Sequence, residues 1–148
     1  HRILASNVLL FRMGYCDSPL CTFCKAQDES LVHLFWDCPI TSKFISDCIS
    51  AILGSHFTFS RNDFLFCFNF NIKHPYNYLF FYIKYFIYQN RLEESHPTFE
   101  EFLYKFKFIL KVEKHISYNS NLRNIITFSD LQLAFKNCPR LFSHVDPL

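Results

Sequence analysis

Apolar positions recur at helical spacing in four stretches of this 148-residue chain. Between Arg2 and Met13, the residues Ile3, Val8, Leu9 and Leu10 form a stripe, and Gly14 is placed to close the helix. From Pro39, whose fixed φ suits a first turn, Phe44, Ile45, Cys48, Ile49, Ile52 and Leu53 repeat up to Gly54. Tyr76 to Glu94 is apolar almost all round, which predicts a helix buried on most sides or covered by a partner. Thr98 to Tyr118 has the clearest pattern: Thr98 and Glu101 form a T-x-x-E capping box, and Phe99, Phe102, Leu103, Phe106, Ile109, Leu110 and Ile116 make its apolar stripe. Two weaker helices are expected, one over Asp63 to Asn71 starting near Asn62, the other over Thr127 to Asn137 with Ser129 and Gln132 as its capping box. The fold class is therefore mostly α. The best candidate boundary is Ser55 to Asn62, dividing residues 1–54 from an aromatic-rich helical region over 55–148.

Composition sharpens this picture. Half the residues are hydrophobic and a fifth aromatic, so the chain can bury a core and should not be disordered. The most apolar run, Tyr76 to Tyr88, is too short to span a bilayer and contains Lys84; no membrane role is expected. A net charge of +2 does not by itself imply nucleic acid. Its distribution is uneven. Residues 1–50 hold four basic against five acidic side chains, while residues 61–123 hold nine against six. On the Thr98–Tyr118 helix, Lys107, Lys111 and Lys114 stand at i, i+4 and i+7, a stripe that can track phosphates or serve as an ordinary solvated face.

The candidate chemistry lies between the first two helices. Cys21, Cys24, His33 and Cys38 follow the pattern C-x2-C-x8-H-x4-C. Three thiols and one imidazole are a ligand set that Zn²⁺ takes in tetrahedral geometry, and four protein ligands leave no open position for water or substrate. The competing reading is of scattered thiols acting as small buried hydrophobes. Cys16 and Cys48 lie close enough in sequence to replace one ligand. Ser30 is placed to cap a short helix carrying His33, with Asp28 and Glu29 near its positive end. Phe35 and Trp36 are expected to pack over the site; the alternative use of Trp36 or Phe23 is stacking on an unpaired base. Seven cysteines at zinc-type spacing suit a reducing, intracellular setting better than a disulfide framework.

This stretch resembles the zinc-knuckle segment near the C-terminus of the reverse-transcriptase polyproteins of non-LTR (LINE-type) retrotransposons. The likeness extends upstream through Ile3-Leu4-Ala5-Ser6-Asn7, Met13-Gly14 and Ser18-Pro19-Leu20. It takes in Glu29, His33-Leu34-Phe35 and Cys38-Pro39, and continues through Tyr85-Phe86-Ile87-Tyr88-Gln89-Asn90-Arg91 and Pro97-Thr98-Phe99. It covers roughly the first three quarters of the chain. The resemblance implies Zn²⁺ as cofactor, the nucleus as setting, RNA or target DNA as partner during target-primed reverse transcription, and an upstream polymerase domain as a second partner. The sequence holds no Y-x-D-D motif and no evident nuclease carboxylate set, and begins at His1 rather than Met. The expectation is a non-catalytic C-terminal fragment. Three roles compete: a nucleic-acid-binding tail whose contacts would include Lys107, Lys111, Lys114 and Trp36, a structural zinc clip docking helices onto the polymerase domain, and a remnant reading frame.

Overall fold

The computed structural model describes residues 4–70, 74–119 and 127–142. The chain is mostly helical, with a cysteine-rich N-terminal segment preceding a helical body. Among these residues six α-helices follow in order: α1 Asn7–Arg12, α2 Pro39–Leu53, α3 Arg61–Leu65, α4 Pro75–Leu92, α5 Phe99–Asn119 and α6 Phe128–Ala134. Short 3-10 turns cover Phe68–Phe70 and Pro139–Leu141, and a π-helical turn spans His33–Asp37. Among the described residues the extended pairing is limited to an isolated antiparallel bridge between Leu20 and Asp28.

The helical body is built on α2, α4 and α5. Phe44 of α2 lies 5.6 Å from Phe86 of α4 and 5.8 Å from Phe102 of α5, and Phe86 and Phe102 are 5.5 Å apart. All three rings are buried. Each such pair contributes about 0.5–1.5 kcal/mol beyond the burial of its area. The six-residue loop after α4 reverses the chain, so α5 runs antiparallel to it: Phe86 meets Phe102, Tyr82 meets Phe106, and the Tyr78 hydroxyl donates to Glu113. Phe135, just past α6, closes the far side against Phe106. A second aromatic group joins Phe57, Phe59, Phe64, Phe68, Tyr76 and Phe80, and fixes the chain between α2 and α4. One apolar cluster includes Cys21 and Cys38 as well as Leu131 and Leu141, so residues on both sides of the 54/55 division share a core.

Several boundaries differ from the sequence pattern, each for a physical reason. α1 starts at Asn7 rather than Arg2. Its first backbone N–H is taken by the Glu29 carboxylate, and the Ala5 carbonyl accepts from the Tyr88 hydroxyl, so the preceding residues are committed to tertiary bonds; residues 2 and 3 lie outside those described. The expected stop holds. Gly14, at φ +74°, donates to the Phe11 carbonyl while Tyr15 donates to Leu10, the paired bonds of a Schellman motif. α3 begins one residue earlier than expected, because Ser60 and Asp63 form a reciprocal capping box. It ends at Leu65, well short of Asn71, which lies outside the described residues. α6 is capped by Thr127 and Asp130 rather than by Ser129 and Gln132. The Asp130 carboxylate reaches the Thr127 backbone N–H at 2.9 Å, so aspartate fills the role assigned to glutamine two residues later.

In α5, the Thr98 hydroxyl accepts from the Glu101 N–H at 3.4 Å, while the Glu101 carboxylate pairs with Lys105. Ile116 is exposed rather than buried. Since Tyr78 in the first turn of α4 is level with Glu113, Ile116 lies level with the first residue of its antiparallel neighbour, where the packed seam ends. α4 itself is largely core: Leu79, Phe80, Ile83, Phe86 and Ile87 are buried. Phe81 and Tyr85 remain exposed along an apolar groove of about 520 Å³, shared with Leu4, Val32 and Phe66. No helix among the described residues is long and apolar enough to cross a membrane.

Candidate metal centre

The C-x2-C pair sits on a tight reversal. Cys21 donates its N–H to the Gln27 carbonyl at 2.8 Å, and the Lys25 N–H returns to the Cys21 carbonyl at 3.0 Å. Lys25 adopts φ +55°, the left-handed conformation that turns the chain back toward Asp28. The second pair of ligands comes from the next segment. The Ser30 hydroxyl accepts from the His33 N–H at 3.0 Å, which bears out Ser30 as a cap. Cys38 lies five positions after His33. In an ordinary α-helix that spacing turns ~500°, which would aim the two side chains ~140° apart. The chain instead closes a wider turn, with the Cys38 N–H donating to the His33 carbonyl at 2.8 Å. The buried Thr41 hydroxyl steadies that turn by donating to the Leu34 carbonyl at 2.8 Å.

These two devices bring Cys21, Cys24, His33 and Cys38 together, with their ligating atoms all within 4.8 Å of one another. The Cys21 and Cys38 sulfurs are 3.9 Å apart, and the Cys24 sulfur is 3.4 Å from His33 Nε2. A tetrahedral zinc site with its usual bond lengths requires about 3.8 Å between two sulfurs and about 3.6 Å between sulfur and nitrogen. These two separations fit the ion, and the remaining ones do not exceed 4.8 Å. Cys16 and Cys48 stand apart. The Cys16 thiol donates to the Asn7 and Ser18 carbonyls, and Cys48 is buried on α2, where burial and then the charge of Asp47 push its thiol up.

The thiols of the cluster are unequal. Burial pushes Cys21 up to about 12, with the charge of Cys38 adding to the effect against the Cys24 and Phe23 backbone N–H groups. Burial also acts to raise Cys24, but the Ala26 and Gln27 N–H groups, the His33 ring and Cys21 outweigh it and hold that thiol at about 6. A divalent cation held by these residues would supply the charge that keeps the thiols ionised.

Around the cluster the structure adds a feature that sequence patterns do not reveal. Glu29 is fully buried and does not serve the positive end of the His33 turn. Its carboxylate accepts from the Thr22 N–H at 2.8 Å, the Asn7 N–H at 3.1 Å and Arg91 Nε at 2.6 Å. Arg91 Nη2 also donates to Asn7 Oδ1 at 2.7 Å, and Asn7 Nδ2 to the Leu20 carbonyl at 2.7 Å. The sole signal in the sequence was that Asn7, Glu29 and Arg91 all fall within the stretches that carry the resemblance.

The residues proposed for nucleic acid are not gathered at this centre. Phe35 is buried and lines the apolar groove beside α4, while Trp36 turns toward the aromatic group, edge-on to Phe59 at 5.7 Å and 5.9 Å from Phe64. Phe23 is buried, with its ring 6.0 Å from that of His96. Lys111 and Lys114 are exposed on α5 and Lys107 is half-buried. Comparison with protein-family models, with curated proteins and with solved structures finds no match to this chain.

Proposed function

We propose that the chain is a zinc-stabilised, nucleic-acid-gripping C-terminal module of a LINE-type reverse transcriptase, non-catalytic in itself. The observation that carries this reading is the convergence of Cys21, Cys24, His33 and Cys38 on one point at zinc-compatible separations. A closed Cys₃His set supplies folding energy rather than chemistry. Support also comes from the way the segments of the resemblance meet: Asn7, Glu29 and Arg91 form one hydrogen-bonded group against the metal turn. In this reading the zinc centre fixes the N-terminal segment, and the phosphate contacts come from Lys111 and Lys114 on α5, since the segment up to Ser50 carries slightly more acid than base.

The second reading, a structural clip that docks onto a polymerase domain without touching nucleic acid, is favoured by the burial of Phe23 and by the packing of Trp36 against Phe59 and Phe64, which engages much of the indole. Two measurements decide. Metal analysis of the purified protein is expected to give one zinc per chain. Titration with single-stranded RNA at two salt concentrations is expected to show binding that weakens as salt rises. Zinc without RNA binding selects the clip; absence of zinc rejects both readings.

A further inference from the structure

Arg91, near the end of α4, stands 62 residues from Glu29 in sequence and donates to it at 2.6 Å. Neither side chain is in contact with solvent to any useful extent, at 5% and 0% exposed. A buried ion pair of this kind is retained only when further hydrogen bonds satisfy its remaining valences. Here they do. The second Glu29 oxygen takes the backbone N–H of Thr22, a residue between the two ligands Cys21 and Cys24. The main chain of Glu29 is tied as well: its N–H donates to the Pro19 carbonyl at 2.8 Å, and its carbonyl accepts from Val8 at 3.3 Å. Asn7 bridges Arg91 to the Leu20 carbonyl, immediately before the first ligand. The chain leading into the C-x2-C turn is thus held on both sides by groups that end on one guanidinium.

We propose that Arg91 is a positioning residue for the metal centre: through Glu29 and Asn7 it sets the Cys21–Cys24 turn in its ligating geometry, so that metal affinity and the seating of α4 are one coupled equilibrium. This rests on the reading of the cluster as a zinc site. Coupling is reciprocal. If Arg91 strengthens zinc binding by holding the turn, zinc strengthens the docking of α4 by the same factor. The neighbouring Tyr88, whose ring lies 5.4 Å from the Arg91 guanidinium and whose hydroxyl donates to Ala5, extends the same seam.

The test measures zinc affinity by competition with a chromophoric chelator in wild type, Arg91→Met, Arg91→Lys, Asn7→Ala and Arg140→Met. Arg140 pairs with Glu100 on the surface and serves as the charge control. Loss of an outer partner of a metal ligand typically costs 10–100-fold in affinity. Arg91→Met is expected to fall in that range, Asn7→Ala to lose less, Arg91→Lys to recover part of the loss, and Arg140→Met to stay within twofold of wild type. Cobalt-substituted protein adds a second readout. Its visible bands report ligand geometry and are expected to shift in Arg91→Met, which a general loss of stability would not produce. If Arg91→Met does not fold, Asn7→Ala and Arg91→Lys decide alone. Folded variants that bind zinc as tightly as wild type overturn the inference and leave the zinc site standing. A wild-type protein that binds no zinc overturns the zinc reading itself.

Discussion

The indole of Trp36 meets the ring of Phe59 edge-on, with centroids 5.7 Å apart and planes at 90°. That geometry suits the charge distribution of the two rings and marks a packing role. Trp36→Ala is therefore expected to cost about 2–3 kcal/mol of stability, below the full range for a buried tryptophan because part of the ring remains accessible. Trp36→Phe should recover most of it. Because the chain has a single tryptophan, denaturant unfolding followed by intrinsic fluorescence reads this site directly in wild type, and circular dichroism serves for the variants. A change of less than about 0.5 kcal/mol for the alanine variant would show that the contact contributes no more than an ordinary surface residue.

Metal loading should discriminate sharply among the seven cysteines. Cys24→Ser is expected to lower zinc content well below one per chain, since it removes one of four converging ligands. Cys16→Ser is expected to leave it at one, because that thiol is turned toward backbone carbonyls. Native mass spectrometry of the two variants checks both. Full loading of Cys24→Ser together with loss in Cys16→Ser would reassign the ligand set.

Acid should loosen the junction of α1, the metal turn and α4. Burial acts to raise the Glu29 carboxyl, but the Thr22 N–H and the hydrogen bond and charge of Arg91 outweigh it, so the group lies below its ordinary value of 4.5. A carboxyl depressed in the folded state contributes stability that is fully present above its unfolded value and is lost as pH falls through the folded one. Melting of the metal-free protein is thus expected to show a loss of stability below about pH 4.5. Arg91→Met, with its compensating charge gone, should flatten that acid limb. Identical acid limbs in the two proteins would mean that Glu29 is not the group responsible.

Charge reversal on α5 tests the nucleic-acid reading. Lys111 and Lys114 are exposed and Lys107 is half-buried, so Lys111→Glu with Lys114→Glu is the cleaner variant. Each lost phosphate contact lowers the slope of log affinity against log salt by about 0.7 for a single strand, and the pair should flatten it by about 1.4. Unchanged slopes in two folded proteins would leave the lysines as a solvated face.

Thr127→Ala is expected to destabilise the protein by about 1 kcal/mol, the usual cost of a lost N-cap. Ser129→Ala should be near neutral, because it is Thr127 whose hydroxyl accepts from the Asp130 N–H. Thermal melts of the two variants compare them, and equal shifts would contradict the observed cap.

Local patterns were legible where one element decided its own fate. Pro39 and Gly54 delimit α2 as read from the sequence, and the apolar periodicity placed α4 and α5 to within a residue or two. The cluster of Cys21, Cys24, His33 and Cys38 could be read because metal-type spacing is a local constraint of a turn and a short helix. What escaped were relationships across the chain. Nothing near Glu29 announces Arg91, and a buried carboxylate looks in sequence like any other acidic loop residue. The start of α1 was misplaced for the same reason: its first N–H is spent on Glu29 rather than on a local cap. Trp36 was assigned two uses, and only the position of Phe59 and Phe64 shows which neighbours it has.

The wide turn at His33–Asp37 runs directly into Pro39, and Cys38 between them is extended, at φ −66° and ψ 125°. A residue before proline is biased away from helical geometry toward extended geometry by the ring that follows it. The rod formed by the His33 segment and α2 is therefore interrupted at Cys38 whether or not an ion is bound. Two residues of the metal cluster meet at this interruption, His33 before it and Cys38 in the break itself. A bound ion would then act as a weld across an articulated joint, fixing the angle at which the knuckle meets α2. Removing it would leave the joint to the Thr41 hydroxyl, which bridges the Leu34 and Cys38 carbonyls, and to the core that Leu34 and Phe35 share with α2.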